Sequence, residues 1–218
     1  MNFSRQRWLR RAALGLGSAW VGTLGGCISV GNGDAGAAQT HYLLHDTATG
    51  VVRRPKPLVA ALLIQSVPGD ASADTVSIAY SRRADEFAFY QLATWTERPV
   101  RQLPRLLARR LEARGVAGAV GLLGDPLASD WLLALAIDRL HHDVATPPGL
   151  ARFALSAELF DRRTRTRVAR RQFAVELPTA RADSAAAAAA LSAALTLSFD
   201  ALLPWLEDAL QAAMTARP

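Results

Sequence analysis

Four histidines, one cysteine and a scatter of carboxylates are the side chains of this 218-residue sequence that could hold a metal, attack a carbon or move a proton. His41 and His45 stand four residues apart. On a helix that spacing would let both rings reach one ion, but Thr40–Leu44 (THYLL) reads as a strand. Along a strand, residues i and i+4 are about 13 Å apart, too far to share an ion. His141 and His142 are adjacent, and a strand turns neighbouring side chains to opposite faces. No metal site is therefore expected. Gly-x-Ser-x-Gly, His-Glu-x-x-His, Walker A and dinucleotide fingerprints are all missing from the sequence. Carboxylate neighbours such as Asp85 and Glu86 fall in turn-like sequence, where solvation is their ordinary role. The expectation is a binding or structural protein, with no cofactor and no catalytic residue.

The single thiol belongs to a different chemistry. Arg5, Arg7, Arg10 and Arg11 make a positive opening, and Ala12–Leu24 follows without a charge. That uncharged stretch is shorter than the roughly 20 residues a membrane span needs, and it suits the apolar region of a signal peptide. Leu24-Gly25-Gly26-Cys27 comes next and resembles the lipobox of bacterial lipoproteins. Residues 1–26 are read as a cleaved signal peptide and Cys27 as the lipid-bearing first residue of the mature chain. Two or more acyl chains anchor stably, since each buried methylene contributes about 0.8 kcal/mol. Ile28 stands where lipoproteins retained in the inner membrane carry aspartate. The expected location is the outer membrane, facing the periplasm. The Arg10-Arg11 pair leaves Sec and twin-arginine export both open. Residues 27–39 are rich in Gly, Ala and Ser and read as a flexible tether spanning roughly 20 Å.

Charge narrows the partners. The formal net charge of +6 would suit nucleic acid, but four arginines lie in the signal peptide. The mature chain keeps 21 basic and 19 acidic residues, so no nucleic acid is expected.

Residues 40–218 carry the pattern of one α+β domain. Leu58–Val67 is an apolar run bounded by prolines, Val76–Ser81 alternates, and Glu86–Tyr90 is aromatic-rich, so each reads as a strand. Val100, Leu103, Leu106, Leu107 and Leu111 recur at helical spacing, from Pro99 or Leu103 to Arg114. Gly115 is placed to cap that helix. Trp131–Leu140 is ambiguous by period and is read as a strand, because a hairpin follows: Phe153–Leu159 and Val168–Val175 around an Asp161–Arg167 turn. Asp183 or Ser184 caps a long Ala-rich helix striped by Leu191, Leu195, Phe199, Leu202, Leu206 and Leu210, with a kink or break expected before Pro204. The sum is a mainly antiparallel sheet with two principal helices packed on it.

Two arginine arrays stand out on these elements. Arg101, Arg105 and Arg109 share one helix face; Arg162, Arg163, Arg165, Arg167, Arg170 and Arg171 crowd the hairpin. They are either solvated surface or contacts for anionic headgroups or an acidic partner, which the planar guanidinium suits.

The central block adds a resemblance. Ser77-Ile78-Ala79-Tyr80-Ser81-Arg82, Glu86-Phe87-Ala88-Phe89-Tyr90, Ala93-Thr94-Trp95-Thr96-Glu97-Arg98-Pro99 and the leucine-striped helix ending Leu111-Glu112-Ala113-Arg114-Gly115 resemble the ABC-type transport auxiliary lipoproteins, which include the paraquat-inducible membrane-integrity type. The resemblance implies a non-enzymatic component of an ABC transport system of the mammalian-cell-entry (MCE) type. Such systems move lipids or other hydrophobic molecules. An MCE-domain protein and the ABC permease and ATPase are the implied partners, and self-association stays open. Tyr80, Tyr90, Trp95 and Pro99 are the motif positions carried over, as fold-defining packing or as partner contacts. A pilotin-like envelope-assembly factor is the alternative.

Overall fold

The computed structural model describes residues 38–217. The expected signal peptide, Cys27 and most of the link behind it lie outside the described residues. In chain order the elements are β1 (Thr40–Tyr42), β2 (Val59–Ser66), β3 (Ser77–Arg83), β4 (Glu86–Trp95), α1 (Pro99–Arg114), β5 (Ala117–Leu122), β6 (Trp131–Asp143), β7 (Leu150–Asp161), β8 (Thr166–Pro178) and α2 (Ser184–Thr215). All eight strands join one sheet. The chain is the expected α+β domain with two principal helices.

The long ladders are antiparallel. β6 pairs with β7 from Trp131–Asp161 to Asp143–Leu150, and β7 with β8 over a similar length. The parallel ladders β1–β4, β2–β5, β2–β6 and β3–β6 are short. β2 and β3 share one edge of β6: Leu63–Ser66 lie beside Leu132–Leu135, and Tyr80 beside His142. β3 and β4 form the remaining antiparallel pair.

β6 resolves its ambiguous period as a bulged strand. Leu133, Leu135 and Ile137 face the core; a register shift at Asp138 then lets Leu140 and His142 continue on the same side. That one-residue shift blurs a strict alternation in the sequence. β5 escaped the sequence reading because Ala117–Leu122 (AGAVGL) is short and small. Its smallness is required: a Cβ on Gly118 would sit 2.8 Å from the Ala60 carbonyl oxygen of β2.

Both helices pack on the same side of the sheet. α1 lies over β2 and β5, α2 over β6, β7 and β8, and the leucine stripes of both are buried in one cluster with Leu62, Ile64, Leu133 and Phe153. Pro99 opens α1 at its first turn, where the missing N–H is harmless. Gly115 closes it in the left-handed region at φ 72°. Asp183 caps α2 by accepting from the Ala186 N–H at 2.8 Å. α2 is long and apolar enough to cross a membrane by composition alone, but its stripe is spent on the core. It runs unbroken past Pro204, which lies on the exposed side, where the carbonyl left without a backbone donor is open to solvent. The expected break is absent for that reason.

Candidate functional site

The resemblance-derived positions fall into two groups. Trp95 is buried in the core at the end of β4, and its N–H donates to the Val76 carbonyl at 2.7 Å. Pro99 is buried at the start of α1. These two hold the turn from sheet to helix. Tyr80 and Tyr90 meet ring to ring, centroids 4.9 Å apart, on adjacent strands.

Tyr90 then reaches β6. Its hydroxyl lies 2.8 Å from His142 Nδ1, while His142 Nε2 lies 3.1 Å from the Pro148 carbonyl and 3.0 Å from Thr179 Oγ1. A carbonyl can only accept, so Nε2 carries the proton in the neutral ring, and Nδ1 accepts from Tyr90. Thr179 Oγ1 in turn donates to Pro148 O at 2.8 Å. His142 is wholly buried, and burial holds its pKa below the ordinary value. Burial pushes Tyr90 up to about 12. The pair is a neutral, fully hydrogen-bonded tie between β4, β6 and the β8–α2 connection. Gly149 closes over it: at φ 106°, a Cβ there would lie 2.5 Å from His142 Nε2 and strike the Asp143 carbonyl. His141 points to the opposite face, against Phe87 edge-on at 5.0 Å, so the two histidines diverge as adjacent strand residues should. Of the other pair, His41 Nδ1 meets Thr94 Oγ1 and His45 Nδ1 meets the Leu43 carbonyl. Among the described residues no His, Asp or Glu group is disposed to hold a metal.

The helix arginines are displayed as the periodicity requires. Arg101, Arg105 and Arg109 are exposed along one face of α1. Arg105 pairs with Glu97, and together with Arg109 it borders a hollow of about 470 Å³ beside Leu43 and His45. Arg101 lies at a separate hollow along Val67, Pro68 and Asp70.

The hairpin arginines are less free. Arg167 and Arg170 both pair with Glu158 at 3.2 Å, and Arg171 stacks over Phe173 at 5.4 Å. Arg162 donates to the Ser129 carbonyl. Arg163 and Arg165 pair with no carboxylate among the described residues. Both line a hollow of about 1110 Å³ with Asp130, Trp131, Met214 and Arg217. Arg217 covers the Trp131 ring at 4.1 Å and pairs with Asp130 and Asp161. Arg165, at φ 57°, makes the turn itself.

The charged groups with the strongest geometry are ones the sequence reading did not single out. Arg110 is 6% exposed and grips Asp46 with two hydrogen bonds of 2.6 Å and Asp200 with one of 2.7 Å. Burial raises the Asp46 pKa, but Arg110, the Ala48 N–H and Thr196 outweigh it and hold the carboxyl below its usual range. Glu207 accepts from Arg54 at 2.6 Å and from Arg114 at 2.8 Å. It too is pushed up by burial and pulled lower by its arginines. These clamps fix α1, α2 and the Asp46 segment to one another. Their signal was present: Arg110 lies on the Leu103–Leu107–Leu111 side of α1, and Glu207 lies three residues before Leu210 on the α2 stripe.

The described domain therefore offers packed motif residues, buried charges engaged in structural pairs and displayed arginines. That inventory suits a protein that contacts others. Comparison with known proteins agrees in kind. No curated protein matches the sequence. Among solved structures, protein XCC0632 from Xanthomonas campestris is 27% identical, with a TM-score of 0.70 over 81% of this chain and 100% of that one. A second crystal structure, of an uncharacterized protein, is 16% identical with a TM-score of 0.59, covering 78% of this chain and 99% of its own, and shares the fold. The family model of the ABC-type transport auxiliary lipoprotein component matches residues 42–202. That match runs from the last residue of β1 into α2, and the chain belongs to the family of ABC-type transport auxiliary lipoprotein components.

Proposed function

We infer that the mature chain is a lipid-anchored, periplasm-facing outer-membrane lipoprotein that serves, without catalysing a reaction, as an auxiliary component of an MCE-type ABC system moving lipids or other hydrophobic molecules. The family match over residues 42–202 carries this reading. Lipidation rests on Leu24-Gly25-Gly26-Cys27 and the charged and apolar segments before it; outer-membrane sorting rests on Ile28. A non-enzymatic role is supported by the use of His142, Tyr90, Asp46 and Glu207, four of the perturbed groups of the domain, in structural hydrogen bonds.

Contact with the transporter falls to displayed groups. Arg101 and Arg109 on α1, and Arg163 and Arg165 at the β7–β8 turn, are exposed and pair with no carboxylate among the described residues. An acidic surface on the MCE-domain protein is the chemistry they fit. Tyr80, Tyr90, Trp95 and Pro99 serve the fold.

The anchor is tested by the mass of the mature N-terminal peptide and by the density of the protein on a sucrose gradient. An acylated Cys27 in the outer-membrane fraction is expected. An intact N-terminus would refute cleavage, and an inner-membrane position would refute the sorting. The partner is tested by co-purification, and recovery of a secretin or barrel protein without a transporter subunit would favour an assembly factor.

A further inference from the structure

β4 is an edge strand for most of its length. β1 covers only Ala93–Trp95, so Glu86–Leu92 has β3 on one side and no strand on the other among the described residues. Edges of this kind are normally short, charged or covered. This one instead displays Phe87, Phe89 and Leu92, which are 47%, 40% and 52% exposed. Beside them Tyr80, Arg82, Phe89, Tyr90 and Gln91 border a hollow of about 340 Å³. Aromatic and apolar side chains gathered at one rim are the composition of an interfacial membrane contact.

The position of the chain entry says what meets this rim. Thr40 lies beside Ala93, and β1 runs parallel to β4. The chain therefore enters β1 from the side of Leu92 and of the β3–β4 turn. Cys27 is thirteen residues before Thr40, a reach of at most about 45 Å. The entry point of the chain thus lies at the end of the domain where the apolar rim is displayed, and the shortest path to an acylated Cys27 leaves from that end. The opposite end is distant: β6 runs 13 residues from Trp131, beside Asp161, to Asp143, beside β3. At about 3.3 Å per residue, the β7–β8 turn with Arg163 and Arg165 stands about 40 Å away.

The geometry points to Phe87, Phe89 and Leu92 as a membrane-docking rim that seats the domain on the phospholipid leaflet holding its anchor, with the arginine-bearing β7–β8 turn directed away from the bilayer. This inference rests on the reading of Cys27 as lipidated. The charges at the rim, Arg82, Arg83, Asp85 and Glu86, balance. The contact is thus apolar and insensitive to salt.

The test uses the full lipidated chain in vesicles of phosphatidylethanolamine and phosphatidylglycerol. Acylation consumes the only native thiol, so a single introduced cysteine accepts an environment-sensitive dye. With the dye at Gln91→Cys, nitroxide-bearing lipid should quench it several-fold more than dye at Thr164→Cys in the far turn. Phe87→Ser with Phe89→Ser should abolish that difference while the chain stays on the vesicles, and high salt should not. Equal quenching at the two positions, in a chain whose N-terminal mass shows acylation, would overturn docking alone. So would a Gln91 dye shielded only as protein density rises, which would assign the rim to a second copy. An unacylated N-terminal mass would overturn the anchor reading, and docking with it.

Discussion

The Tyr90 hydroxyl donates to His142 Nδ1 at 2.8 Å, joining a strand of the β3–β4 hairpin to the end of the long central strand β6. The bond gives the carried-over Tyr90 a physical role: it satisfies the one acceptor of a wholly buried imidazole. Replacing Tyr90 by Phe keeps the ring and removes the donor. An unsatisfied buried acceptor costs about 1–3 kcal/mol. Urea unfolding of Tyr90→Phe should show a loss in that range with an unchanged m-value, and a neutral result would mean the hydroxyl does not serve His142.

The same histidine makes stability depend on pH. His142 and His141 are both held below the ordinary histidine pKa of 6.5, chiefly by burial. The unfolded chain then binds more protons than the folded one as pH falls below about 6.5, so stability is full above that value and declines beneath it. Each histidine contributes a slope of at most about 1.4 kcal/mol per pH unit. Unfolding free energies measured across this window should fall with acid, and His142→Gln should flatten the decline. A slope unchanged by that substitution would remove His142 from the account.

Gly149 is open to a sharp steric test. At φ 106°, with His142 Nε2 and the Asp143 carbonyl occupying the place of a Cβ, it admits no side chain. Gly149→Ala should destabilise by about 1–3 kcal/mol, as overpacking and left-handed strain do. It should also shift the His142 ring resonances in NMR spectra. Normal stability with an unperturbed ring would contradict the contact.

Arg110 is the most consequential charge of the domain. Its removal leaves Asp46 without its strongest donors and frees Asp200. Truncating one partner of a buried pair costs about 3–5 kcal/mol. Arg110→Ala should fall in or near that range, whereas the exposed neighbour Arg109→Ala should change stability by less than about 0.5 kcal/mol. A double-mutant cycle with Asp46→Ala should recover part of the loss. Additive losses would show that the two side chains do not interact.

These outcomes mark what the sequence could and could not disclose. Spacing alone identifies the α1 stripe Leu103–Leu111 and the α2 stripe Leu191–Leu210, because each is a helical period that the sheet must cover. The hairpin of β7 and β8 is visible for the analogous reason at period two. β6 is blurred because its bulge at Asp138 shifts the alternation midway. β5 is invisible because it is short and small, and its Gly118 is dictated by close approach to Ala60, a neighbour far away in sequence. Arg110 and Glu207 read as unpaired charge until a partner ninety or more positions away is placed beside each. Their place on the apolar stripes marks them as buried, but the identity of a partner so distant leaves no local pattern. Tyr90 was reached through a resemblance, and only the folded chain shows that it serves His142.

The arginine display also yields a distinction. Arg163 and Arg165 lack internal carboxylate partners among the described residues, whereas Arg167 and Arg170 share Glu158. Arg163→Glu with Arg165→Glu should leave stability within about 0.5 kcal/mol of the parent, as exposed substitutions do, and weaken partner association in a salt-dependent way. Reversal of Arg167 should mainly disturb Glu158. Unchanged association at low salt after the double reversal would exclude the β7–β8 turn as a contact.

Membership of a transport auxiliary family makes the partner the central question. Affinity purification of the lipidated protein from mildly cross-linked, detergent-solubilised envelopes, with mass spectrometry of what comes with it, answers it most directly. An MCE-domain protein together with an ABC permease or ATPase is the predicted result. Recovery of a secretin or an outer-membrane barrel, with no transporter subunit, would contradict it.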